Sequence, residues 1–388
     1  MNLVFFTARF PLPNLKGDQV ILWERIQFFS KFYTVHVVYF GARTDVRNND
    51  IISVEKYAKL IFCNIGMMNK ILGLCLNFFA RVPLQNALYR SPFFVRKLKN
   101  IVKQIGSDSI LYFSLLRTFN SSLVGDRLSV LDAIDSMTVN LESKLHSNAN
   151  LISRLILRSE LKRVRQFERE LSRPDLVVCV SKRDVDVFES MIGRRQVIPL
   201  GVDLTSYAYT PSTSQKSRFV FFGNLDYFPN LDVVRRLSKL FSSDEYKSKG
   251  YEIDFIGKIS DTNLPKSICE NVRFLGYVED LPGSLCGYLA LIAPLRLGSG
   301  MQNKILQAMA SGVPVITTTY GIGEIRASHY ENVVIEDDEK LISKHILKLI
   351  AEPDFSRLIA QNARKLVEEQ HSWPACNARL HQLIKNCK

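Results

Sequence analysis

No two of the seven cysteines form a C-x-x-C pair; they are scattered at 63, 75, 179, 269, 286, 376 and 387. That spacing suggests neither a zinc site nor a disulfide framework, and it fits reduced thiols in a cytoplasmic protein. Also missing is any run of about 18 uncharged apolar residues, so no segment reads as a bilayer-spanning helix. The opening MNLVFFTARFP places its apolar residues directly after Met1-Asn2, with neither a basic leader nor a small-residue cleavage site. It is expected to be a first β-strand rather than a signal peptide. No short-period repeat is visible, which disfavours a solenoid. Acids are scarce: Asp+Glu number 38 against 51 Lys+Arg, a formal charge of +13. Such a balance favours a polyanionic partner, among them nucleotides, lipid phosphates and anionic membranes. The basic residues accompany no motif that reads bases, so no nucleic acid is expected as a partner.

What is present describes a globular chain, 46% hydrophobic and 23% charged over 388 residues, which suits two domains of about 190 residues each. Apolar runs at Leu3 to Thr7 and Val35 to Phe40 flank a helical pattern from Val20 to Phe32, a βαβ opening that implies a parallel sheet. Gly17 precedes that helix, either because the backbone turns tightly there or because a ligand approaches it. Further short strands are expected at Ser109 to Phe113, Leu128 to Leu131, Asp175 to Val180 and Val197 to Leu200. Polar, proline-bearing residues 201–216 read as a linker between domains 1–200 and 217–370, with 371–388 a C-terminal helix packing back on the first. Beyond the linker the alternation restarts with strands at Phe219 to Phe222, Tyr251 to Ile256 and Val272 to Leu275. The fold class expected is α/β, with two doubly wound parallel sheets.

Leu289 to Thr319 carries the clearest chemistry. A strand ends at Pro294, the chain passes through Gly298-Ser299-Gly300, and a helix reads from Met301 to Ala310, followed by a strand from Val313 to Thr318 and the loop Gly321-Ile322-Gly323-Glu324. Glycines before a helix let backbone N–H groups and the positive end of the helix dipole meet a phosphate. Arg296 and Lys304 are the cations expected beside a diphosphate. Asp184-Val185-Asp186 is read as the first turn of a helix behind the N-cap Ser181, not as a metal-holding pair. From Met67 to Gln104 apolar, aromatic and basic residues mix without a single acid. Two readings stay open there: a helix lying in the interface of an anionic membrane, or an internal helical pair with a basic outer face. Arg154 to Arg173, with its acids interspersed, reads as a solvated helix face laced with i,i+4 pairs.

The blocks FVFFGNLDYFPNLDVV, FIGK, VRFLGYVEDL, APLRLGSGMQNKILQAMASGVPVITTTYGIGE and the closing HSW resemble the donor-side signature of glycosyltransferase family 4, a GT-B family of two Rossmann-like domains facing across a cleft. ARFPLPNLKGDQ, RVPLQNALYRS, DAIDS and VIPLGVD further resemble its bacterial exopolysaccharide and O-antigen branch. The resemblance implies a retaining, metal-independent transferase with no cofactor, using a nucleotide-diphosphate sugar, UDP-linked before GDP-linked. The acceptor implied is a lipid-linked glycan of surface polysaccharide synthesis, met at the cytoplasmic face of the inner membrane. Carried over by position, Gly17, Arg296, Gly298, Ser299, Gly300, Met301 and Lys304 bind the diphosphate. Gly223, Asn224, Lys258, Gly276, Tyr277, Val278 and Gln307 line the nucleotide site. Asp18, Asp135 and Lys304 are the catalytic candidates, with Arg9 and Arg117 on the acceptor side. Two departures stand out. Ser299 and Gln307 occupy places where the family commonly has glutamates, and the loop from Asn224 to Asn230 lacks the family's Arg and Lys. The rival expectations are a GT-B epimerase or phosphorylase, or a nucleotide-binding module without turnover.

Overall fold

The run NLVFFT becomes strand β1 (Asn2–Thr7), whose last five residues are all buried. Burial on both faces is what a central strand of a parallel sheet covered by helices requires, and it explains the unbroken apolar run. Around it, in the order β3-β2-β1-β4-β5-β6-β7, lie β2 (Thr34–Tyr39), β3 (Lys59–Phe62), β4 (Ser109–Ser114), β5 (Ser129–Ile134), β6 (Leu176–Cys179) and β7 (Arg195–Val197). A second sheet has the order β10-β9-β8-β11-β12-β13. Its strands are β8 (Arg218–Phe222), β9 (Glu252–Ile256), β10 (Val272–Gly276), β11 (Ala290–Ala293), β12 (Val315–Thr317) and β13 (Val334–Ile335). Every pairing in both sheets is parallel. These features come from a computed structural model that describes residues 1–12, 17–78, 82–147, 151–210, 217–265, 269–297 and 301–387.

The chain divides into two units, Met1–Ile198 with Asn377–Lys388, and Pro199–Cys376. Each has its own core: Phe6, Phe113 and Leu131 in the first, Phe221, Phe255 and Ile292 in the second, all fully buried. Burying one such side chain stabilises a fold by roughly 1.5–3 kcal/mol. In each sheet the chain starts near the middle and reverses its direction of growth, between β1 and β4 in the first and between β8 and β11 in the second. Ligands of open α/β sheets bind beyond the carboxyl ends of the strands at such switch points.

The structure also corrects several boundaries. The helix expected from Met301 begins at Asn303 and ends at Ser311, where Gly312 takes a left-handed φ of 80° as its cap. The helix expected at Arg154 to Arg173 spans Leu151–Arg169, and its ion pairs run to other elements, Arg165 to Glu142 and Arg169 to Glu189, rather than along an i,i+4 ladder. Met67 to Gln104 resolves into helices Gly66–Asn77, Leu84–Ala87 and Pro92–Ile105. The strand expected at Val197 to Leu200 lies at Arg195–Val197, a partly buried edge that the apolar count underrates. Residues 211–216 of the expected linker lie outside the described residues.

Candidate functional site

Three neighbouring strands of the second unit end in the same way. FVFFG, DFIG and RFLG close β8, β9 and β10 on Gly223, Gly257 and Gly276, with φ of 137°, 137° and 68°. The backbones are laced together: Gly223 N–H donates to Ile256 O at 2.9 Å and Gly257 N–H to Gly276 O at 2.7 Å. A Cβ on Gly257 would stand 1.8 Å from Gly223 O, so only glycine fits. Gly257→Ala is therefore expected to destabilise the second unit by about 3 kcal/mol or more, combining left-handed strain with a backbone clash. A urea unfolding curve close to that of the parent protein would refute this.

Beside this floor of glycines, Lys304 projects from the second residue of helix Asn303–Ser311. It is only 8% exposed. Its ammonium donates to Asn230 Oδ1 and lies 4.4 Å from the centre of the Phe221 ring; Asn230 in turn donates to Asn224 O at 2.7 Å. No carboxylate among the described residues pairs with it, and burial pulls its pKa down to about 7. Lys304 is thus a buried amine without a carboxylate partner among the described residues, at the switch point of its sheet. Asn230 went unnoticed in the sequence because its role depends on a helix turn folding back under the strand end.

The other expected donor-side residues fall around this point with different degrees of engagement. Tyr277, just past β10, is 80% exposed. Val278 is half-buried against the core. Lys258 is exposed, and its carbonyl accepts from Leu225 N–H at 3.0 Å. Arg296, expected beside a diphosphate, sits 3.4 Å from Glu339 instead. Met301 precedes the helix and is buried. Gln307 bonds to the Tyr207 side chain, whose phenol burial pushes up to about 12 while that bond opposes the shift. Gly298, Ser299 and Gly300 lie outside the described residues. The loop at Gly321 opens as a short helix, Thr319–Ile322, with Gly321 N–H donating to Thr318 Oγ1 at 2.9 Å.

In the first unit, Arg9, Asp18 and Arg117 converge beyond the ends of β1 and β4. Arg9 Nη1 lies 2.6 Å and Arg117 Nη2 3.5 Å from the two oxygens of Asp18. Burial first, then Arg9, lower the Arg117 pKa, and Asp18 opposes them. Gly17 opens helix Gly17–Phe29. No described atom comes within 4 Å of a Cβ built there and its φ is not left-handed, so neither crowding by described atoms nor backbone strain requires glycine at this position. Asp135 follows Ile134, a β-branched residue at φ 63°, and Leu115 at the end of β4 is at φ 72°. Left-handed conformations of this kind cost about 1–3 kcal/mol each and gather at functional sites. Burial, then the carboxylates of Asp184, Asp132 and Asp18, raise the Asp135 pKa to about 6.

Its acidic neighbours are already committed. Asp132 accepts from the Tyr112 hydroxyl and from Arg25 Nε at 3.4 Å. Asp184 accepts from Ser136 N–H at 2.9 Å and from the Ser181 hydroxyl; Asp186 pairs with Lys182 and Arg195. Both carboxylates of the Asp184-Val185-Asp186 motif therefore serve the unit's own structure. Among the described residues no group of three His, Cys, Asp or Glu side chains is placed to hold a metal ion.

Two parallel-sheet units of this topology define the GT-B fold. Residues 216–352 match the model of the family Glycosyl transferases group 1. Over 93 residues the chain is 31% identical to an uncharacterized 44.6 kDa protein in the cps region of Klebsiella pneumoniae, a match that spans 24% of either chain. The whole chain superposes on the UDP complex of Anabaena HepE with 14% identity and a TM-score of 0.63, covering 100% of both chains. It superposes likewise on the lipopolysaccharide outer core galactosyltransferase WaaB, with 13% identity, a TM-score of 0.65, and 100% and 99% coverage. At these identities the structural likeness is one of fold.

Proposed function

We propose that the protein is a retaining, metal-independent glycosyltransferase that moves a sugar from a nucleotide-diphosphate sugar, UDP-linked before GDP-linked, to a lipid-linked glycan. Its setting is bacterial surface polysaccharide synthesis, whether O-antigen, capsule or exopolysaccharide. The observation that carries the reading is the buried Lys304 amine, unpaired with any described carboxylate at the β8/β11 switch point. The family match over the second unit, the UDP named in the HepE complex and the galactosyltransferase WaaB support the donor class.

In this reading the anomeric carbon–oxygen bond to the diphosphate breaks, and its electron pair moves onto the phosphate oxygen. The charge developing there is met by Lys304 and by backbone N–H groups, the dominant kind of stabilisation for such a leaving group. The acceptor hydroxyl forms the new bond on the same face of the sugar, and its proton passes to the departing phosphate. Asp135 orients that hydroxyl, and the Arg9–Asp18–Arg117 cluster lies on the acceptor side.

Thermal unfolding with UDP, GDP, dTDP and CMP, each with and without magnesium, tests the donor half. A ligand at about 100 times its dissociation constant stabilises by roughly 2.7 kcal/mol, a shift of several degrees for a protein of this size. A magnesium-independent shift with one nucleoside diphosphate is expected. No shift with any of them would sink the donor assignment. A shift without sugar transfer to any lipid-linked acceptor would favour a nucleotide-binding module, which the Gln307–Tyr207 bond makes the second reading.

A further inference from the structure

Helix Gly66–Asn77 wears its apolar side outward. Met67, Met68, Ile71 and, just past its end, Phe78 are all at least half exposed, Met68 to 80%. Its one buried residue is Gly73, and a Cβ there would lie 2.3 Å from Ala87 O. The helix thus rests on the neighbouring backbone through its smallest residue, and its larger apolar side chains are at most partly buried. An ordinary surface helix does the reverse and hides its apolar stripe.

Helix Leu151–Arg169 continues the pattern. Leu155 and Ile156 are exposed, Leu155 to 66%, while both acids of the helix are drawn inward. Glu168 is wholly buried, accepting from the Ser136 hydroxyl at 2.9 Å and from the N–H groups of Met137 and Thr138 at 2.8 and 3.1 Å. Glu160 accepts from Leu84 N–H at 2.7 Å. Arg158 and Lys162 are left outside. The two helices meet where the Arg163 guanidinium lies 5.0 Å from the centre of the Phe78 ring. Exposed methionines and isoleucines beside cations, with the acids withdrawn, match the chemistry of a headgroup layer over acyl chains. A face between proteins has no such need to keep its charge of one sign.

We propose that this two-helix face of the first unit docks on an anionic lipid bilayer. Met67, Met68, Ile71 and Phe78 enter the interfacial zone, and Arg158 and Lys162 meet phosphate headgroups. The inference rests on the lipid-linked acceptor reading only in giving that acceptor's membrane a surface to meet. No helix among the described residues is long and apolar enough to cross a membrane, so the contact is peripheral.

Flotation of the full chain with vesicles of about three parts phosphatidylethanolamine to one part phosphatidylglycerol tests this, with phosphatidylcholine vesicles as the uncharged control. The parent protein is expected to float with the anionic vesicles at low salt and to release at high salt. A Met68→Asp, Ile71→Asp double variant should bind at least about tenfold more weakly, and Arg158→Glu with Lys162→Glu should weaken binding by a similar factor. Both variants should keep the nucleoside diphosphate thermal shift, which separates loss of docking from misfolding and from failure of the donor reading. Absence of parent binding to anionic vesicles, or unchanged binding by the Met68/Ile71 variant, would overturn the proposal. Parent self-association that the same variant abolishes, without vesicle binding, would reassign the face to contact between copies of the chain.

Discussion

Lys304→Ala is expected to erase the thermal shift given by the preferred nucleoside diphosphate and to lower sugar transfer by about 10²–10³-fold, the usual cost of removing one preorganised charge from a developing oxyanion. The amine is buried against Phe221 and Asn230, so its desolvation has been met by the fold before any ligand arrives. The same burial makes binding pH-dependent. With a pKa of about 7 in the free protein, Lys304 is largely neutral at pH 8, whereas a bound diphosphate favours its charged form. Binding should then take up close to one proton, and the dissociation constant should rise by up to about tenfold per pH unit above 7. Titration calorimetry in two buffers of different ionisation enthalpy counts that proton directly. Lys304→Arg, charged throughout this range, should lose the proton uptake; if it persists in that variant, another group is titrating.

Asp135→Asn should make the protein more stable and less active at once. Its carboxyl sits at about 6 in the fold against an ordinary 3.8, so between those values the folded chain holds a proton that the unfolded chain has released. This contribution to stability is therefore present at low pH and lost as pH rises from about 4 to 6. Above that the ionised carboxylate costs on the order of 1–3 kcal/mol. Asparagine removes the charge, and the gain is read from urea unfolding at pH 8. If Asp135 orients the acceptor hydroxyl, turnover should fall by about 10²–10⁴-fold, and the acid limb of the pH–rate profile near pH 6 should vanish. A variant that is stabilised yet fully active would leave Asp135 with a structural part only.

Strands buried on both faces, such as β1 and β8, were legible because the run of apolar residues is itself the signature of that environment. β3 (Lys59–Phe62) and β13 (Val334–Ile335) were not. Both lie at sheet edges, one led by a lysine and only partly buried, the other two residues long, and short edge strands need few apolar residues. At the candidate site, Lys304 was readable from the local strand–turn–helix pattern, and Gly223 and Gly276 from the family resemblance. Their long-range partners were not. Asn230 beneath Lys304, Tyr207 against Gln307 and Glu339 against Arg296 are separated by 74, 100 and 43 positions respectively, and nothing in the intervening sequence encodes the meeting. The inward turn of Glu160 and Glu168 was likewise invisible, which is why a helix that reads as evenly charged turns no acid of its own outward.

Asn377, near the start of helix Trp373–Asn386, accepts from the buried Arg25 guanidinium and donates to Glu24 O at 3.1 Å. In the order of synthesis Arg25 emerges 352 positions before its partner. Until then Arg25 lacks this partner, whereas Pro199–Cys376 is one uninterrupted span. Vectorial synthesis thus lets the second-made unit finish folding before the first-made one, and a gene fragment ended at Ile198 would express a unit still missing its closing helix.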